Sequence, residues 1–137
     1  MTTNAPRFHR SNAHGTAPGG HYSHAVAAGG FVFVSGQLPT RPGVAPDPSM
    51  PVREQTTLTL QNLQSALQAA GAKLTDVVKV TAWLRSEDDW DDFDAAYAAF
   101  FGDHRPARAA VPVGRLHYGL CVEIEAVAFV GSRGVTV

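Results

Sequence analysis

The sequence predicts an α+β protein, a two-layer sandwich in which two amphipathic helices cover one face of a mixed β-sheet, in the order β-β-α-β-α-β-β. Two stretches, residues 53–70 and 86–101, carry apolar side chains at helical spacings. Short β-type runs surround and separate them, at 25–37, 76–84, 108–113 and 121–130. The strand pairs at either end are joined by loops suited to hairpins, so the sheet cannot be wholly parallel. A chain of 137 residues, 45% hydrophobic and 17% charged, suits one domain. At that size about two-thirds of the unfolded surface can be buried without metal or disulfide support.

Residues 1–20, rich in Gly, Pro, Asn, Ser, Thr and His and without apolar periodicity, read as a mobile leader. The domain proper is expected over 21–131, followed by a tail of loop composition at 132–137. In the run AVAAGGFVFVSGQ at 25–37, Gly29 and Gly30 divide two apolar segments as a hairpin turn would. Pro39, Pro42, Pro46, Pro48 and Pro51 each remove a backbone donor, which makes 38–52 a surface loop. Leu60, Leu63, Leu67 and Ala70 mark the buried stripe of the first helix, and Gly71 stops it. DVVKVTAWL at 76–84 is a strand with rows Val78, Val80, Ala82, Leu84 and Val77, Lys79, Thr81, Trp83, both of which look largely covered. Ser86 can cap the second helix, with Glu87, Asp88 and Asp89 at the positive end of its dipole. Trp90, Phe93, Tyr97, Phe100 and Phe101 then form an aromatic stripe, and Gly102 ends the helix. Such a stripe can line a ligand pocket, but at helical spacing it is more often a face packed on a sheet.

Two helices on one face leave the other face of the sheet without cover. In the last strand Val122, Ile124, Ala126, Ala128 and Val130 make an apolar row, while the opposite row mixes Glu123 and Glu125 with Cys121, Val127 and Phe129. A row of that mixture is a poor solvent face, so an oligomer whose subunits meet there is expected.

Composition and motifs exclude several functions. Eleven basic against twelve acidic residues, with no dense basic run, argue against nucleic acid as a partner. The apolar runs are too short to cross a bilayer and no secretory signal opens the chain, so no membrane association and a cytoplasmic location are expected. Cys121, the single cysteine, cannot form an internal bridge. There is no glycine-rich phosphate loop, His-Glu-x-x-His helix, zinc cysteine pair or Gly-x-Ser-x-Gly elbow. Of the six histidines, His9 and His14 fall in the leader, His104 and His117 in loops, and His21 and His24 beside the first structured run. Their spacings fit no metal template, so no metal is expected.

Three charged residues stand out. Arg108 follows Pro106-Ala107 at the start of a short apolar strand, where a planar guanidinium near the sheet needs an anion. Spacing alone favours an internal pair with Glu123 or Glu125, and a clamp on a substrate carboxylate is the other reading. Glu123 and Glu125 lie two apart on one strand face, with Cβ atoms about 6–7 Å apart. They suit either acid-base work on a bound water or charge neutralisation across an interface.

FVSGQLP at 33–39, DVVKVTAWL at 76–84, FFGDHRPAR at 100–108 and VEIEAVA at 122–128 together resemble the reactive intermediate deaminase family (RidA, or YjgF/YER057c/UK114), in its order and spacing over nearly all of the chain after residue 20. The resemblance implies a chorismate-mutase-like fold assembled as a homotrimer with clefts between subunits. It also implies cofactor-free hydrolysis of enamines and imines such as 2-aminoacrylate to 2-oxo acids and ammonia. By the same resemblance Arg108 would clamp the substrate carboxylate, Glu123 would orient or activate the attacking water, Tyr22 would join them as a catalytic residue lining the cleft, and Ser35 and Gly36 would border it. Asp94, where the family often has Asn, and Ala110, where some members have Cys, join the expected substrate pocket. Other departures are His21 for Pro, His24 for Gln, Ala109 for Ser or Thr, and Pro112 for an acidic residue, the last implying an edge or bulge. They leave room for a different imine or enamine substrate, or for a non-catalytic carboxylate-binding, chaperone or ribonuclease role.

Overall fold

The computed structural model describes residues 5–131, a six-stranded mixed sheet with two helices on one face. The expected tail at 132–137 lies outside the described residues. In chain order the elements are β1 (Arg7–His9), β2 (Ala25–Ala28), β3 (Phe31–Gln37), α1 (Val52–Ala69), β4 (Val77–Leu84), α2 (Trp90–Phe101), β5 (Ala107–Pro112) and β6 (Val122–Phe129). The α+β sandwich is therefore as the sequence predicts. Gly29 and Gly30 both take positive φ, 59° and 85°. That is the turn whose twist matches the strands of a two-residue hairpin, and glycine enters it without steric cost. Ser86 accepts the backbone N–H of Asp88 at 3.1 Å and caps the short 3-10 turn that leads into α2.

The strand order is β1-β2-β3-β6-β4-β5, with every neighbouring pair antiparallel except β4 and β5. This corrects the expectation that the last two strands pair as a hairpin. β6, apolar on one row and half-buried on most of the other, occupies a central place between β3 and β4. β5 ends in Pro112, which has no N–H to give, and lies parallel to β4 at the edge. A bulge in β4 between Val77 and Lys79 moves Val77 into the buried row and leaves Val78 exposed, so the expected row of Val78 with Val80 breaks there. The outward row of β4 is only partly covered: Thr81 and Trp83 are half-buried and Lys79 is exposed.

The sheet also begins inside the stretch read as a mobile leader. Arg7–His9 pairs with Ala25–Ala28 as an edge strand. The segment after it is fastened down, with Ala13 N–H donating to the Ser65 carbonyl of α1 and Asn12 Oδ1 accepting from His14 and Thr16. Three residues are too few for a periodic signal.

Val32, Val34, Leu60, Leu63, Leu67, Val80, Leu84, Phe93, Val122 and Ile124 fill the space between helices and sheet. Cys121, expected on the outward row of the last strand, is instead buried in this core just before β6. The proline-rich segment 38–51 runs over the surface but is pinned at both ends. Asn62 Nδ2 donates to the carbonyls of Leu38 and Thr40 at 2.8 and 2.9 Å. Buried Gln55 donates to the Met50 carbonyl and accepts from the Cys121 N–H. Among the described residues no helix is long and apolar enough to cross a membrane.

Candidate active site

Glu123 stands on the outward row of β6, opposite Trp83 of β4. Its partner strand β3 changes register between Val34 and Gln37, and Ser35 and Gly36 occupy that irregularity. A Cβ on Gly36 would overlap the Glu123 carboxylate, so only glycine lets the acid lie flat against this strand. Burial pushes the Glu123 carboxyl above the usual glutamate range, nearby Glu125 pushes the same way, and His117 opposes them. Arg115, Leu116, His117 and Tyr118 complete a hollow of about 390 Å³ around it. Tyr118, in the turn His117–Gly119, is the one non-glycine residue with positive φ (61°) among the described residues.

Tyr22 and Gly36 line a neighbouring cavity of about 500 Å³, which also includes His24 and Arg41. Ser35 is not among the lining residues; its hydroxyl donates to the Ser23 carbonyl at 2.6 Å and joins strand to loop. His24 is buried, and Gln37 Nε2 lies 3.0 Å from the Ser35 carbonyl and 3.2 Å from His24 Nδ1. An amide nitrogen only donates, so Nδ1 accepts and the imidazole carries its proton on Nε2. Burial lowers the His24 pKa, opposed by the Ala17 carbonyl. His24 is therefore a neutral wall of the cavity, while His21 is exposed and lines none of the described pockets.

Arg108 lies on the other face of the sheet. It pairs in register with Val80 of the buried row and points toward α2, where its Nη1 donates to Asp94 Oδ1 at 2.8 Å. The guanidinium carbon sits 4.6, 5.0 and 5.4 Å from the ring centroids of Tyr97, Trp90 and Phe93. This is a cation held against aromatic faces, with only 20% of the side chain exposed. The internal pair with Glu123 or Glu125 that spacing favoured does not form; Asp94 takes that place. The aromatic stripe is thus divided in its work, Phe93, Tyr97 and Phe101 closing the core while Trp90 remains partly exposed over Arg108. Burial pushes the Tyr97 hydroxyl up to about 12 and keeps it neutral beside the guanidinium. Ala110, two residues along the same row, opens onto a hollow of about 610 Å³ bounded by Trp90, Pro112, Glu87, Asp88 and Asp91.

The expected site residues therefore fall into two groups. Tyr22, Ser35, Gly36 and Glu123 gather at one end, and Arg108, Asp94 and Ala110 gather beside α2, with the sheet between Arg108 and Glu123. Arg41, Arg115, His117 and Tyr118 were not singled out from the sequence as site residues, because loop side chains carry no periodicity to place them. The buried Cys121 thiol, pushed up to about 11, is no nucleophile at neutral pH. Among the described residues no three His, Cys, Asp or Glu side chains gather as metal ligands.

Residues 13–130 match the family model described as Endoribonuclease L-PSP. A RutC family protein of Pyrococcus horikoshii is 39% identical over 129 residues, 94% of each chain. The 2-iminobutanoate/2-iminopropanoate deaminase of Escherichia coli is 37% identical over 112 residues, 80% of this chain and 87% of its own. The solved structure of the YjgF gene product from Escherichia coli aligns with a TM-score of 0.76 at 34% identity, covering 88% of this chain and 93% of that one. Sequence and fold agree over the same span, and the chain belongs to the YjgF/RidA family, the family of the Endoribonuclease L-PSP model.

Proposed function

We propose that the protein is a cofactor-free hydrolase of enamines and imines of the 2-aminoacrylate type, working at clefts between copies of the chain in a homotrimer. The observation that carries this reading is the separation of its charged groups. A carboxylate clamp and a water-activating acid on opposite faces of one sheet can meet only if a second copy supplies one of them.

Surface chemistry supports such a meeting. Phe8, Phe31, Phe33 and Phe129 are exposed, with Phe31 and Phe129 in ring contact at 5.0 Å, an apolar patch on the face without helices. The hollow around Glu123 carries Arg115 beside the acid, and the hollow beside Ala110 carries Glu87, Asp88 and Asp91, so Arg115 would face those acids when copies join head to tail.

In the proposed reaction Arg108, steadied by Asp94 on one nitrogen, offers its remaining N–H groups to the substrate carboxylate. An enamine first takes a proton from solvent on carbon to become the iminium. Glu123 of the neighbouring copy accepts a proton from water as the oxygen bonds to the iminium carbon, giving a carbinolamine. Proton transfer to nitrogen, loss of ammonia and loss of the hydroxyl proton leave the 2-oxo acid. The iminium carbon is already electrophilic, so fixing the carboxylate and one water supplies much of the required acceleration. The deaminase name carried by the Escherichia coli relative supports the same chemistry.

The test is release of ammonia and 2-oxo acid from 2-aminoacrylate made in situ. The wild type is expected to accelerate it, and Arg108→Met and Glu123→Gln each to lose about 100-fold. Methionine keeps apolar bulk against the three rings while removing the donors. An assembled wild type with no effect on the rate would contradict the proposal and leave carboxylate binding as the role.

A further inference from the structure

Tyr22 and Gly36 open onto more space than the chemistry above requires. The cavity of about 500 Å³ runs from them beneath the proline-rich segment, past Arg41 and Asn62, to His117 and Tyr118. A three- or four-carbon imino acid has only a handful of heavy atoms, whereas cavities of several hundred Å³ suit much larger ligands. The cavity adjoins the reacting end directly. Gly36 lies under the Glu123 carboxylate, and His117 and Tyr118 line both this cavity and the hollow around Glu123.

The charge of the lining has one sign. No Asp or Glu is among its described residues, and Arg41 is an exposed cation that takes part in none of the ion pairs among the described residues. The backbone that carries Arg41 is fixed. Asn62 holds the carbonyls of Leu38 and Thr40 just before it, and the Arg41 carbonyl accepts from Val44 N–H at 3.2 Å. A guanidinium carried on a braced backbone, over a pocket without acids, is placed to meet an anion.

We infer that this cavity is a side-chain subsite for imino acids bearing a second anionic group, and that Arg41 is the specificity-determining residue that reads that group. The inference rests on the imine-hydrolysis reading for its reaction, and it adds the substrate class. Small apolar imino acids would occupy only the end near Glu123, while dicarboxylic ones would span from the clamp to Arg41.

Two measurements test it. In the first, 2-iminopropanoate and 2-iminoglutarate are generated in situ by amino acid oxidases from alanine and glutamate, and kcat/KM is compared for the wild type, Arg41→Ala and Arg41→Lys. Arg41→Ala is expected to lower kcat/KM for the dicarboxylic imine about tenfold, mainly through KM, and to leave 2-iminopropanoate within about twofold, with partial recovery in Arg41→Lys. Equal loss on both imines, or loss on neither, overturns the inference. In the second, calorimetry compares 2-oxoglutarate with pyruvate as ligands. The wild type is expected to bind 2-oxoglutarate about tenfold more tightly, a preference absent in Arg41→Ala. Equal affinities overturn the subsite whatever the kinetics show, whereas selective 2-oxoglutarate binding without hydrolysis of either imine overturns only the reaction.

Discussion

At the scale of single residues, the same side chains serve packing and chemistry at once. Arg108 is pressed against Trp90, Phe93 and Tyr97 and tied to Asp94, so the fold fixes the direction of its guanidinium before any ligand arrives. Arg108 and Glu123 were legible as candidates because each stands near an otherwise apolar strand. Their partners were not legible, since spacing gives the row a residue occupies but not the helix that crosses over it. His24 shows the reverse case: histidine suggested chemistry, and burial favours its neutral form instead, with the Gln37 amide against Nδ1. Its folded pKa is lowered, chiefly by burial, so its contribution to stability is complete above the unfolded histidine value and is lost as pH falls through the folded one. His24→Gln removes this titration. Melting temperature followed from pH 7.5 to pH 5 should fall more steeply for the wild type than for the variant. Parallel curves would mean that His24 is protonated without penalty.

At the scale of elements, the helices, the Gly29-Gly30 hairpin and the strand at 76–84 were readable because each has a period that repeats over several residues. The bulges were not, because one extra residue alters the row without altering composition. They matter most at the site. The irregularity at Ser35 and Gly36 puts a glycine beneath the Glu123 carboxylate, so element geometry sets the position of the group proposed to activate water. Gly36→Ala should displace that carboxylate and reduce turnover at least about tenfold, while the carboxylate side chain can yield to the new methyl with little change in melting temperature. Full activity in Gly36→Ala would remove Glu123 from the reaction. The central place of β6 was equally hidden. A strand with two carboxylates on one row resembles an edge until the unpaired face is given a partner.

At the scale of the whole molecule, a two-layer sandwich with helices on one side leaves an exposed aromatic face and two hollows, an acidic one beside Ala110 and one of mixed charge around Glu123. The sequence indicated the uncovered face through the mixed row of β6. It did not indicate that the clamp and the acid stand on opposite sides of the sheet, because that depends on β5 joining β4 in parallel rather than turning back on β6. On the proposed reaction, that topology leaves one copy an incomplete catalyst. Mixing two inactive variants tests this most directly: Arg108→Met and Glu123→Gln are unfolded together, refolded as a mixed assembly, and assayed on 2-aminoacrylate. Each cleft would then draw its arginine from one copy and its glutamate from another, and random mixing should restore about one quarter of wild-type turnover, half the arginines and half the glutamates being intact. Mixed assemblies that form yet remain inactive would contradict a cleft shared between copies.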